Sequence, residues 1–523
     1  MEGIRHPVAS GQQALSHMQL HALALLTLCS PATAQGDAPV APSPGAVALK
    51  DGRFVLDKQI IPKPGGVVVK FKSADVFVPD RLIIDWFSPD AKVQYEAKNE
   101  KEQKRIDKGE IRFNGRWMRR DAATRTLVKL QKKLKAKIKK QNERKEWRNA
   151  IRIETKNFKF AHNLPDELFE ELRELFEIYY KTFTKYWRLK TKLAHKPTVH
   201  IYSDAGDFNQ IATNGPGGVL GYYHLLSNEL HLYWDRADPE LTIDVLFHET
   251  NHMLSDMVNG KFRYPRWIEE PMAEYYGASK WNKKTKKMEM GFVQAGRLAE
   301  IQDDIAKGKT MKLKNLIGST SYQCYTWGWS FVHFMMETPK YQKKWKKFWL
   351  DIAHKNGIKR KGAGPFRTCD RDLLEKLLLK YTGHKKLDTL EKEWHAYVKK
   401  LEAQSLEGIE AAGRKLRSMG KYTKAEKFLA KAVSMGAKSP HTYAAYADVL
   451  YRGSGWSKAL SMINKAIEMD PLDSEFYYKK GKILVQPGPV KNKKIAKQCY
   501  LLAAEITPDE WKYAIAAAEI YED

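Results

Sequence analysis

Cysteine is scarce in this chain, with four in 523 residues. Cys29 falls in an N-terminal apolar segment, and Cys324, Cys369 and Cys499 are scattered. That excludes a disulfide framework and a zinc site built from paired cysteines. Acidic residues are also in deficit, 62 against 90 Lys and Arg, for a net charge of +28. Such an excess speaks of partners, for example an anionic envelope polymer, and not of fold. No helix-turn-helix, zinc-finger or RNP signature accompanies it, so no specific nucleic-acid reader is indicated. No apolar run approaches the ~20 residues that a membrane-spanning helix needs. Core-forming residues are plentiful, at 43% hydrophobic and 11% aromatic. At this length they predict several folded domains.

The apolar run from Leu23 to Leu28 ends in Ala32-Thr33-Ala34. It reads as a secretory signal over 1–34, cut after Ala34, which predicts a secreted or periplasmic cell-envelope protein. Residues 35–65 are rich in Pro, Gly and Ala and read as a linker with at most one short strand. Valine- and isoleucine-rich runs and an Asn114-Gly115 turn predict a small β-containing module over 66–120. A basic helix follows over 121–150, with Leu127, Leu130, Leu134 and Ile138 on one stripe. A strand is expected over 150–164. An amphipathic helix is expected from Pro165, burying Phe169, Leu172, Leu175 and Phe176. A second strand covers 197–204, and a hairpin over 219–235 turns at Ser227-Asn228. Asp238-Pro239 then starts another helix.

The tail over 406–523 repeats with a period of 34 residues. Tyr422 and Ala425 recur as Trp456 and Ala459, and Ala432 as Ala466. Tyr443, Ala447 and Leu450 recur as Tyr477, Gly481 and Leu484. A third unit runs through Ala496, Ala503 and Pro508, with about three residues inserted near Pro487–Val490. Helix pairs of this period, with small residues at their crossings, resemble tetratricopeptide repeats. That resemblance implies a protein partner.

The chemistry concentrates in His248-Glu249-x-x-His252. Residues four apart on a helix share a face, so both imidazoles project together. Two histidines are good zinc ligands, and a catalytic zinc takes a third protein ligand and leaves a position for water. Glu249 is placed to take that water's proton. The third ligand is sought on the next helix, which carries Glu269, Glu270 and Glu274. Glu270 fits the ligand. Glu274, one turn on, fits the carboxylate that orients a ligating histidine, His248.

His248-Glu249-x-x-His252 with Trp267-x-x-Glu270-x-x-Ala273-Glu274-Tyr275 resembles the gluzincin metallopeptidases, and more narrowly the peptidase-MA-like (DUF1570) group. The resemblance covers about 151–400 and implies an α+β fold. A mixed sheet, a His-Glu helix and a glutamate helix form a zincin-like domain, and an all-α repeat solenoid follows. It implies Zn2+ on His248, His252 and Glu270, and a peptide or protein substrate. The hairpin 219–235 would supply the edge strand along the cleft. Pro271 departs from the glycine usual after the third ligand. Proline is tolerated in a helix's first turn but disfavours α geometry before it, so Glu269 stays an alternative. Tyr325, in the aromatic stretch 322–336, is the candidate donor to an oxyanion, with Tyr322 the alternate. His224 and His231 near the hairpin are close enough in sequence to approach the cleft. The main expectation is a zinc metallopeptidase. Its rivals are a repeat-based interaction protein with an inert zincin domain, and a basic polyanion-binding protein.

Overall fold

The computed structural model of the chain describes residues 45–50, 53–88, 97–113, 116–144, 146–189, 196–212, 219–236, 238–282, 285, 287–402 and 405–522. The expected signal segment 1–34, the start of the expected linker and the Asn114-Gly115 turn lie outside them. So do the side chains of Leu127, Leu130, Leu134 and Ile138. No helix among the described residues is long and apolar enough to cross a membrane.

The fold is mixed α/β. Strands β1 (Gly45–Leu49), β2 (Phe54–Lys63), β3 (Gly66–Lys70), β4 (Asp75–Pro79) and β5 (Ile83–Phe87) form an antiparallel sheet ordered β4-β3-β2-β1-β5. Residues 45–63 are therefore mostly sheet, not linker. The Pro/Gly punctuation there marks turns, as at Gly65, whose φ of +78° suits glycine. The Val and Ile between the turns supply strands. Helix α1 (Glu100–Asp107), hairpin β6 (Glu110–Phe113) and β7 (Arg116–Arg119), and the basic helix α2 (Arg120–Arg144) follow.

Next come β8 (Ile151–Glu154) and β9 (Lys159–His162), an antiparallel pair where a single strand was expected. Helix α3 (Asp166–Trp187) and β10 (Thr198–Tyr202) follow, then α4 (Ala205–Ile211), β11 (Gly221–His224) and β12 (Glu229–Tyr233). The sheet runs β11-β12-β10-β9-β8 with β11 at its edge. It is mixed: β10 is parallel to β9 and β12, and β11 is antiparallel to β12. The β11–β12 hairpin turns at Asn228, where φ is +55°.

One face of this sheet, with Val199, Ile201, Leu230 and Leu232, joins Phe169, Leu172, Leu175 and Phe176 of α3 in the main core. Helices α5 (Pro239–Val258) and α6 (Arg266–Gly277) add Leu246, Phe247, Trp267 and Ile268 to that core. Helices α7 (Ala295–Ala306), α8 (Trp329–Glu337), α9 (Pro339–His354), α10 (Arg371–Thr382) and α11 (Leu387–Lys400) complete this region.

From there on the described chain is helical, consistent with a solenoid. Its helices are α12 (Leu406–Ser418), α13 (Tyr422–Ser434), α14 (Pro440–Arg452), α15 (Trp456–Met469), α16 (Ser474–Leu484), α17 (Lys493–Ile506) and α18 (Trp511–Glu522). The 34-residue period sets the contacts within each pair. Gly413 packs on Leu429 and Gly481 on Tyr500. A Cβ at Gly481 would stand 2.3 Å from the Tyr500 ring, which is 5% exposed. Helix propensity would reward Gly481→Ala by about 1 kcal/mol. Overpacking costs about 1–3 kcal/mol and exceeds it. The variant is expected to unfold at lower urea, with Tyr500→Leu restoring the midpoint.

Two compact units emerge, 139–449 and 45–138 with 450–522. The chain passes between them inside α2, after Ile138, and inside α14, after Val449. In the larger unit, the buried Arg414 of α12 forms two ion pairs, one of them with a buried partner. Arg414 meets Asp238 at 3.3 Å and also pairs with Glu240. The smaller unit joins both ends of the chain. Val47, Ile60, Val67 and Val69 share a core with Leu472, Leu484, Cys499 and Leu502. Glu505 accepts the Lys72 and Ser73 backbone N–H groups.

His162, at the end of β9, is fully buried and stacks on Phe169 at 3.6 Å. Burial, and then the Arg144 charge, pushes its imidazole down to about 4. The unfolded chain therefore takes up this proton at higher pH than the folded one. The stability it contributes is full above about pH 6.5 and is lost as pH falls toward about 4. His162→Phe is expected to lessen the loss of stability between about pH 7 and pH 5 by about 1–2 kcal/mol, read from urea midpoints.

Candidate metal centre

Helix α5 starts at Asp238, whose side chain accepts the Leu241 N–H, with Pro239 at the first helical position. Most of its surface is buried, including Leu246, Phe247, Thr250, Asn251, Met253 and Leu254. His248, Glu249 and His252 interrupt that apolar surface and remain partly accessible.

Their Nε2 atoms, four residues apart, lie 3.3 Å from each other. Glu270 of α6 brings Oε2 to 3.7 Å from His248 Nε2 and 3.5 Å from His252 Nε2. Donors about 2.0–2.2 Å from a tetrahedral ion stand about 3.3–3.6 Å apart. The three atoms therefore form one face of such a polyhedron. His248, His252 and Glu270 can hold a metal ion, as can a second group, His200, Glu229 and His231.

Pro271 lies beyond the first turn of α6, yet the helix runs unbroken through it. Its ring is accommodated by Gly328, where a Cβ would stand 2.5 Å from Pro271 Cγ. Glu270 thus keeps its place between the imidazoles. Glu269 lies behind His252, with Oε1 3.7 Å from Nδ1. Glu274 Oε1 lies 3.7 Å from His248 Nδ1. Each imidazole therefore has a carboxylate on its far nitrogen, the arrangement that orients a ligating histidine.

Burial opposes the charge on Glu270, but His248 and His252 outweigh it and hold the carboxyl well below its usual range. Burial likewise opposes charge on His252, and Glu269 and Glu270 prevail and push it up. Burial raises Glu249 despite the two imidazoles. Glu249 Oε2 accepts the Tyr223 backbone N–H of the edge strand at 3.1 Å.

Tyr325 lies on a π-helical turn, Cys324–Gly328, a geometry frequent at functional sites. Its ring is parallel to His248 at 6.5 Å, and its hydroxyl accepts from Arg266 at 3.2 Å. Tyr322 turns elsewhere, with its hydroxyl on Arg297 at 2.6 Å and Lys421 at 2.8 Å. Neither hairpin histidine reaches the cluster. His224 bonds Ser227 at 2.8 Å, and His231 faces Tyr202 on the other side of the sheet.

Arg297 and Lys415 are the residues that sequence reasoning missed. Arg297 grips Glu274 through Nη2 at 2.9 Å and Nε at 3.1 Å, and Lys415 of α12 adds a contact at 3.3 Å. They lie 23 and 141 residues from Glu274, and no local motif marks either. A cavity of about 590 Å³ adjoins the cluster, bordered by His248, Glu249 and Tyr325, with Ala412 and Leu416 of α12 in its apolar wall.

These features define a protein with a helix-borne His/His/Glu cluster that could hold a metal ion, beside a mixed sheet, and with a helical C-terminal part. No family model matches the chain. No curated protein matches it. One similar solved structure is the first TPR of Spaghetti (RPAP3) bound to the HSP90 peptide SRMEEVD. It is 19% identical and covers 23% of this chain and 94% of that one, with a TM-score of 0.21. The comparisons therefore add nothing to the gluzincin resemblance.

Proposed function

We propose that this chain is a zinc-dependent hydrolase of peptide bonds, with a zincin-like domain as its working part. The supporting observation is the convergence of His248 Nε2, His252 Nε2 and Glu270 Oε2 within 3.3–3.7 Å of one another. Two imidazoles and a carboxylate, with carboxylates behind both imidazoles, suit zinc in chemistry and in spacing. Bound by these residues, the ion would supply Lewis acidity to a carbonyl and lower the pKa of a water.

Glu249 moves the proton. Tyr223 holds Oε2 of its carboxylate, which leaves Oε1 to take a proton from the attacking water and return it to the leaving amine. The Tyr325 hydroxyl donates to the oxyanion that develops on the carbonyl. β11 is the edge strand of its sheet and lies beside Glu249, and an extended peptide can pair along its remaining outward backbone groups. The adjoining cavity receives a side chain of that peptide.

The test is a peptide-library digest with the full chain and Glu249→Gln, alongside zinc content. Cleavage that survives the substitution refutes the reading.

The helical C-terminal part favours a second reading, in which the repeats bind a protein partner and the metal cluster serves as scaffold. It predicts zinc without turnover in the unaltered chain.

A further inference from the structure

The sheet of the larger unit carries a second cluster on its opposite face. Side chains alternate along a strand. Val199, Ile201, Leu230 and Leu232 enter the main core, so His200, Tyr202 and His231 point the other way. There Tyr202 and Tyr222 pack with Phe208 of α4. His200 and His231 are registered neighbours on the parallel strands β10 and β12, and Tyr222 is the neighbour of His231 on β11. The three rings stack in a row. Centroids are 4.4 Å apart for the histidine pair and 4.9 Å for His231 and Tyr222. Glu229, two residues before His231, returns to this face. Its Oε1 lies 3.4 Å from His200 Nε2 and its Oε2 3.9 Å from His231 Nε2.

We infer that His200, Glu229 and His231 form a second metal site, for a divalent transition ion of the zinc kind, separate from the His248–His252–Glu270 cluster. The ligand atoms of all three lie within 4.8 Å of one another. Neighbouring strands are about 4.8 Å apart, so registered histidines reach a common ion. The two rings lie 5° from parallel, so ion binding requires the His200 imidazole to turn out of the stack about its broad χ2 torsion while Tyr202 holds His231.

The far nitrogen of His231 supports the same assignment. Tyr202 Oη sits 2.9 Å from His231 Nδ1, so that nitrogen is engaged and Nε2 is left toward Glu229. This is the outer contact a ligating histidine commonly has. His200 Nδ1 is buried and has no partner among the described residues, and His200 meets Glu229 through Nε2. Nitrogen donors with one carboxylate favour zinc, copper or nickel over magnesium or calcium. The side chain of Glu229 is 37% exposed against 18% and 12% for the histidines, so the site opens to solvent through the carboxylate. Arg152 lies in the same row beyond Ala161, two strands from His200, and its charge opposes the ion.

Zinc content measured on the full chain after zinc equilibration and desalting tests the assignment. Two zinc per chain are expected in the unaltered protein. One is expected in His231→Phe, which keeps the ring stack, and one in Glu229→Gln, a half-exposed substitution. His252→Phe also keeps one, and His252→Phe with His231→Phe keeps none. The zinc retained at the first cluster reports that the His231 and Glu229 variants are folded. A zinc count unchanged by both His231→Phe and Glu229→Gln overturns the site. So does a single zinc in the unaltered protein that disappears with His252→Phe.

Discussion

Glu249→Gln is expected to lower peptide turnover by about 10³-fold while leaving zinc content unchanged. General-base contributions run from about 10² to 10⁴, so the loss corresponds to about 4 kcal/mol of barrier. Zinc is retained because Glu249 is not one of the converging donors, which are His248, His252 and Glu270. The amide oxygen of glutamine can still accept the Tyr223 N–H, so β11 keeps its anchor. What is lost is the capacity to hold a proton. Steady-state kinetics on a library-derived peptide, with metal analysis on the same samples, reads both quantities. Unchanged turnover would remove Glu249 from the reaction. Loss of the zinc would make it part of the metal site instead.

The largest stability effect is expected at Glu274, which is 2% exposed. Burial opposes its charge, but Arg297 first and Lys415 next hold the carboxyl below its usual range. Glu274→Ala would leave Arg297, itself 7% exposed, with the Tyr322 hydroxyl in place of two carboxylate bonds. Breaking a buried ion pair from one side costs about 3–5 kcal/mol, because the remaining charge is uncompensated. Removing both charges in Glu274→Leu with Arg297→Leu is expected to cost much less. Urea unfolding of the single and double variants measures the difference. An equal loss in both would show that packing, not charge, dominates. His248 also loses its orienting carboxylate in these variants, so zinc affinity is expected to fall about 10- to 100-fold. A competing chelator measures that independently of stability.

The two predictions draw on different ranges of the chain. Glu249 was legible from five consecutive residues. Helical spacing puts His248 and His252 on one face whatever surrounds them, and Glu249 follows the first of them directly. The amphipathic pattern of α3 and the hairpin of β11 and β12 were legible for the same reason. Misreadings came where composition and periodicity conflict. Pro and Gly around 62–66 mark a turn between β2 and β3, and they obscured the Val- and Ile-rich strands on either side. The run 150–164 contained a turn that apolar content alone did not reveal.

By itself the sequence determined the local geometry: the shared face of His248 and His252 on their helix, the following glutamate helix, and the 34-residue period of the tail. These follow from fixed periods of 3.6 and 2.0 residues and from self-similarity along the chain. Tertiary structure decided what those faces meet. It set Glu270 between the imidazoles and Glu269 behind one of them, because Gly328 gives Pro271 room inside a continuous helix. It brought Tyr325 rather than Tyr322 to the cluster, and it closed Arg297 and Lys415 on Glu274. It also brought His200 and His231, 31 residues apart, into register on parallel strands. Strand register and helix docking are selected by packing of the whole core, and loop closure costs little more for long separations than for short ones. Such meetings therefore leave no periodic trace in the chain.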